Sequence, residues 1–248
     1  MRQLLVRIAM KLGVYKWCVD VDTNLRERRI ARAFRKYGLE TCVAAFQQNE
    51  HIDEIAMHPD HKAEAKTLLS SDRFPKVRYW IDGGKERWES SLHAIEVIAD
   101  AVNGSMAKSS INCKSSLVQS SIKDGVNVLI HDCARPFVSQ EIITNTCRAL
   151  ETHEAVTVAV PVTDTLYQVN DKGLIMDIPP RTLFRRAQTP QAFRLSILRQ
   201  AFDGLLQSPS RHITDDVGVV RTFVPATDIF LVDGSESNKK ITYKEDIE

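Results

Sequence analysis

Glycine is scarce at the start of this 248-residue chain: Gly13 and Gly38 are the only two in the first 80 residues. A strand that breaks through a glycine-rich loop into a helix is therefore not legible there. No apolar run approaches the ~18 residues needed to span a membrane. The opening MRQLLVRIAMKLGV is too charged, and its apolar part too short, for a secretory signal. The serines and the lack of acids that mark a transit segment are also missing. Five cysteines (Cys18, Cys42, Cys113, Cys133, Cys147) show no CxxC or Cys/His spacing. That argues against a zinc motif or a disulfide framework and implies reduced thiols in the cytoplasm. Neither charge sign dominates, with 33 basic against 32 acidic residues, so no nucleic-acid partner is indicated.

The chain does have length and apolar content, 43% hydrophobic, enough for one large α/β domain over residues 1–248. Short apolar strands alternate with amphipathic helices, the pattern of a mostly parallel sheet covered on both faces. Strands are expected at Val77–Ile81, Asn127–His131, Ala155–Val162 and Ile229–Val232. Helices are expected over Arg87–Val102, after an N-cap at Ser139, and over Arg194–Gln207. The runs TLYQV and LIMDI flank Asn170-Asp171-Lys172-Gly173, so residues 165–178 read as a β-hairpin arm. Residues 103–125 hold seven serines and no aromatic, a loop insertion. Leu25–Tyr37 is helix-like and basic, and nothing before it makes a convincing strand-loop-helix start. Residues 1–40 therefore form an atypical N-terminus.

Polar blocks follow several strands, and the carboxyl edge of a parallel sheet is where ligands bind. Gly83 and Gly84, with Ser90 beyond, would let backbone donors approach a ligand, or simply make a tight turn. Asp132 in HDCARP could hold Mg²⁺ or orient a hydroxyl, and Arg135 could clamp a phosphate; a surface ion pair is the alternative. Arg181, Arg185 and Arg186 precede QTPQ, where pre-proline Thr189 must be extended. Lys240 in NKKIT is a possible point charge for phosphate, although single lysines are usually solvated. Thr214-Asp215-Asp216 is a good helix N-cap.

The order GGxxRxxS, HDxARP, a strand ending in Asp-Thr, IPxR, QTPQxF, TDD and NxKIT resembles the cytidylyltransferases that join CTP to a sugar-alcohol phosphate. These are the enzymes acting on 2-C-methyl-D-erythritol 4-phosphate or on ribitol 5-phosphate. The resemblance covers roughly residues 40–246, and HDCARPF, RRAQTPQAF and NKKIT carry most of it. IPPR, QTPQAFRLSIL and TDDVGVV lean towards the ribitol branch, whereas Ala134 is more usual in the methylerythritol branch. The resemblance implies a Rossmann-like nucleotidyltransferase sheet and a homodimer formed through the 165–178 arm. Gly83, Gly84, Ser90 and the backbone at Cys133 would select cytosine, and Lys240 would contact phosphate. Asp132, Arg135, Thr165, Thr189 and the partner subunit's Arg181 would hold the acceptor, with Mg²⁺ bound mainly through CTP. Of these, Lys240, Arg181 and Asp132 would carry the catalysis.

The departure is at the front. The family's first strand enters a glycine-rich loop followed by Pro-Lys-Gln, which cradles the triphosphate, and neither is present here. The basic residues from Arg26 to Lys36 read as a solvated helix face. Three accounts follow: a rearranged 5′ coding end, an unusual phosphate loop, or a degenerate nucleotide-binding and dimerisation module.

Overall fold

The computed structural model describes residues 5–11, 38–58, 62–82, 87–103, 125–208, 213–241 and 246. Gly83, Gly84, the basic segment Leu25–Tyr37 and nearly all of the 103–125 insertion lie outside these residues. A seven-stranded sheet has the order β3-β2-β1-β4-β8-β5-β9. Its strands are β1 (Leu5–Lys11), β2 (Glu54–His58), β3 (Val77–Trp80), β4 (Val126–Asp132), β5 (Ala155–Pro161), β8 (Arg185–Arg194) and β9 (Ile229–Asp233). All pairings are parallel except those of β8, which is antiparallel to β4 and β5. Helix α1 spans residues 38–48. The others are α2 (Lys62–Leu68), α3 (Arg87–Asn103), α4 (Gln140–Ala149), α5 (Leu195–Gln207) and α6 (Asp216–Phe223). No helix among the described residues is long and apolar enough to cross a membrane.

The sheet divides the core in two. Phe46 of α1, Leu129 of β4 and Ile142 of α4 pack on one face. Ile98 of α3, Val128 and Ile130 of β4, and Phe202 of α5 pack on the other. Strand β4 is buried along its whole length, as a central strand covered on both faces must be. Burying each large side chain contributes about 1.5–3 kcal/mol. Ser139 caps α4 as expected, its hydroxyl accepting from the Ile142 N–H at 3.2 Å. The hairpin also forms, from β6 (Gln168–Val169) and β7 (Ile175–Asp177). Gly173 closes its turn at φ +76°, a conformation that costs a side-chain-bearing residue.

One expectation needs correction. Leu5–Lys11 is a strand, and it sits in the middle of the sheet between β2 and β4. Its basic residues mask the period, and no glycine loop follows to announce it. The QTPQ block, with Thr189 extended as expected, lies within a strand despite its internal proline. The register explains this: Val158 pairs with Gln188 and Thr157 with Gln191, so Thr189 and Pro190 have no partner on β5. The proline sits at the irregularity, where a missing N–H costs no ladder bond.

Candidate functional site

The chain reverses direction across the sheet between β1 and β4, since β2 and β3 extend one way and β8, β5 and β9 the other. The crevice beyond the carboxyl ends at such a switch point is where ligands bind. Lys11 pairs with Asp132 in the β1–β4 register.

Asp132 is the last residue of β4 and is largely buried; its Oδ2 accepts from Lys240 Nζ at 3.1 Å. The Arg135 N–H donates to the Asp132 carbonyl at 2.8 Å and closes a turn. The Arg135 guanidinium reaches back, Nη1 donating to Asn238 O at 2.8 Å and Nη2 to Ala187 O at 3.2 Å. Burial lowers its affinity for a proton, and the nearby Asp132 charge opposes that shift.

Lys240 is aimed by its own neighbours. Gln188 pairs with the 235 peptide unit, Nε2 donating to Ser235 O at 2.8 Å. Its Oε1 accepts from Asn238 Nδ2 at 3.1 Å. The same amide donates to Thr189 O at 2.9 Å, and Asn238 is completely buried. Beyond Lys240, the Ile241 N–H donates to Ala134 O at 2.8 Å. A side chain at position 234 would collide with Gln188 Oε1, so Gly234 lets this segment lie close. The NKKI segment is thus laced to both HDCARP and QTPQ.

His131, one residue before Asp132, is fully buried, its ring 4.9 Å from that of Phe46. Nε2 lies 3.1 Å from Arg135 O and Nδ1 3.0 Å from Thr189 Oγ1. Thr189 Oγ1 also accepts from the Asp132 N–H at 3.1 Å. Burial brings the imidazole down to about 4, with the hydrogen bond to Arg135 opposing the shift. The ring is therefore neutral at physiological pH.

Among the expected residues, the fold gathers Asp132, Arg135, Thr189 and Lys240 into this one network. Cys133 is buried beneath it; burial, then the hydrogen bond that the Cys42 thiol makes to Cys133, pushes the Cys42 thiol well up. The Cys42 thiol is a poor nucleophile in such surroundings. Ser90 is buried in the first turn of α3, beside Ser91, whose hydroxyl donates to Asp216 Oδ1 at 2.6 Å. Thr165 and Arg181 lie apart on the exposed arm, where Arg181 Nη1 donates to Thr163 O at 2.5 Å. Sequence reasoning missed His131, Gln188 and Asn238. Their signal is weak: each is a polar residue beside a louder one. No group of three His, Cys, Asp or Glu suited to a metal occurs among the described residues.

Comparison with known proteins bears on this arrangement. The family model of IspD, 2-C-methyl-D-erythritol 4-phosphate cytidylyltransferase, matches residues 102–248. A 2-C-methyl-D-erythritol 4-phosphate cytidylyltransferase of Bifidobacterium longum (strain DJO10A) is 35% identical over 210 residues. The match covers 83% of this chain and 66% of the relative, so the chain spans just under two thirds of that protein. A bifunctional ribulose 5-phosphate reductase/CDP-ribitol pyrophosphorylase of Haemophilus influenzae is 32% identical over 223 residues, 89% of this chain and 42% of the relative. The solved 4-diphosphocytidyl-2C-methyl-D-erythritol synthase of Anaerococcus prevotii aligns with a TM-score of 0.71 over 99% of this chain and 93% of its own, at 23% identity. That last likeness establishes the nucleotidyltransferase fold. The family match, covering more than half of the sequence, settles membership: the chain belongs to the 2-C-methyl-D-erythritol 4-phosphate cytidylyltransferase family.

Proposed function

We propose that this chain transfers CMP from CTP to a polyol phosphate, with 2-C-methyl-D-erythritol 4-phosphate as acceptor, and releases pyrophosphate. The observation that carries the proposal is the Asp132–Lys240 pair, 3.1 Å apart at the carboxyl end of β4 and braced by Arg135, Gln188 and Asn238. An oxygen of the acceptor phosphate attacks the α-phosphorus of CTP in line, and the bond to the leaving pyrophosphate breaks. Such a reaction needs positioning and charge neutralisation and no covalent nucleophile. Lys240 supplies a cation, and Asp132 orients it and the acceptor. Mg²⁺ would arrive on the triphosphate and neutralise its charge.

The arm supports a homodimer. Leu174, Ile175 and Met176, consecutive on the arm, are all more than half exposed, and exposed apolar groups of this kind often meet a partner. Arg181 of the partner subunit would then face the acceptor, which Thr165 of the chain itself would also contact.

Two other readings have their own support. Ribitol 5-phosphate is favoured by the IPPR and QTPQAFRLSIL runs and by the Haemophilus relative. A degenerate module is favoured by the sequence after β1, where Gly13 is the only glycine before Gly38. Pyrophosphate release from CTP and Mg²⁺ with each acceptor separates the three. Release with methylerythritol phosphate supports the proposal, and release with ribitol 5-phosphate alone moves the acceptor. Release with neither, from a folded dimer, leaves the degenerate module.

A further inference from the structure

We infer that His131 is a positioning residue of the acceptor pocket, tying Thr189 to the Asp132–Arg135 turn through one fixed tautomer of its ring. The inference rests on the proposed function for what the pocket holds, and on hydrogen-bond geometry for how it is held.

The tautomer follows from the partners. Nε2 lies 3.1 Å from the Arg135 carbonyl oxygen, which can only accept, so Nε2 carries the hydrogen. The buried ring is neutral, so Nδ1 is bare and accepts. Thr189 Oγ1, 3.0 Å away, must therefore donate its single proton to Nδ1. The same oxygen accepts from the Asp132 N–H at 3.1 Å. The chain of donors runs from the Asp132 amide to Thr189, from Thr189 to His131, and from His131 to Arg135. The opposite tautomer would set a lone pair of Nε2 against the carbonyl and leave a buried acceptor unsatisfied.

Two consequences separate this from a side chain that merely fills space. Thr189 has no proton left for a phosphate oxygen, so its contribution to the acceptor site is to hold Asp132 and Arg135 in place. His131, fully buried, touches no substrate and acts only through these three residues.

The test uses the full chain. Long-range ¹H–¹⁵N correlation on histidine-labelled protein should find one of the seven histidines neutral with Nε2 protonated. Its Nδ1 shift should move in Thr189→Val. His131→Phe should lower kcat/KM for the acceptor on the order of 10²-fold, with the KM for CTP changed less than about threefold. His131→Asn, which offers Thr189 an acceptor again, should recover part of that loss. An equal fall in kcat for both variants, with neither KM moved, would mean only a smaller folded fraction and would overturn the inference. So would a ring protonated on Nδ1, or full activity in His131→Phe. A wild-type chain that releases no pyrophosphate would sink the proposed function and leave this inference to the tautomer. In that case an Nε2–H ring sensitive to Thr189→Val upholds it, and an Nδ1–H ring rejects it.

Discussion

The carboxyl end of β4 and the hairpin arm both carry residues that the family resemblance assigns to the acceptor, yet they are built in opposite ways. At β4 the polar groups of Asp132, His131, Arg135, Thr189, Gln188 and Asn238 are buried or half-buried and bonded to one another within the chain. Of their buried side-chain atoms, only Arg135 Nε and Asn238 Oδ1 have no partner among the described residues. On the arm, large apolar side chains face outward and Met176 is 63% exposed. The first region is preorganised by its own sequence. The second buries almost nothing in its own chain, so in the proposed homodimer its geometry would be completed by the partner subunit. A site assembled from both is rigid on one side and conditional on assembly on the other.

The largest effect should come from the rigid side. Lys240→Ala should cut kcat about 10²- to 10³-fold, as removing one preorganised charge-stabilising group does elsewhere. Its stability should change little, because the Lys240 side chain is 46% exposed and such pairs contribute under about 1 kcal/mol. Kinetics and chemical denaturation on one preparation check both halves of the statement.

The conditional side is tested by mixing. Arg181→Ala should lose at least about tenfold in turnover, whichever chain it serves. If it serves the partner, mixing Arg181→Ala with Lys240→Ala creates heterodimers with one intact site. Turnover should then recover to about a quarter of the wild-type value at random exchange. No recovery would place Arg181 at its own chain's site and remove the contrast between the regions. Leu174→Asp with Met176→Asp should give a folded monomer by sedimentation and comparably low turnover.

Acid sharpens the same contrast, because the buried side contains a group whose protonation is tied to folding. The unfolded His131 imidazole titrates near 6.5 and the folded one at about 4. The unfolded chain therefore binds the extra proton between these values. The stability from this group is complete above pH 6.5 and is lost as the pH falls towards 4, about 3 kcal/mol in all. His131→Asn should lack that part of the slope in denaturant titrations across the window.

The rhythm of β4, α4, β5, α5 and the arm was legible because each has one dominant period and a clear cap or turn. Strand β1 was not, because Arg7 and Lys11 interrupt an apolar run that only its pairing with β2 and β4 explains. Strand β8 was hidden by Pro190, which a local reading must treat as a strand breaker. At the site, Asp132, Arg135, Thr189 and Lys240 could be named from their motifs. What joins them could not, because His131, Gln188 and Asn238 act on residues 47 to 58 positions away. Spacing along the chain carries no trace of such contacts.

The two regions differ by whether a polar group is answered inside the protein, and two helix caps repeat that difference on a smaller scale. Ser139 caps α4 from an exposed position, with a single bond to the Ile142 N–H at 3.2 Å. Asp215 caps α6 through Oδ1, which accepts from the Gly218 N–H at 2.8 Å. Its Oδ2 also accepts from Nε2 of buried Gln191 at 2.7 Å. Removing the carboxylate therefore strips a cap and strands a buried amide of β8. Asp215→Ala should cost about 2–3 kcal/mol, the loss of a cap plus an unsatisfied buried donor. Ser139→Ala should cost only about 1 kcal/mol, since water can reach the freed N–H groups. Equal losses in denaturant unfolding would mean that the Gln191 bond contributes nothing. The buried polar ties would then be consequences of packing, not its cause.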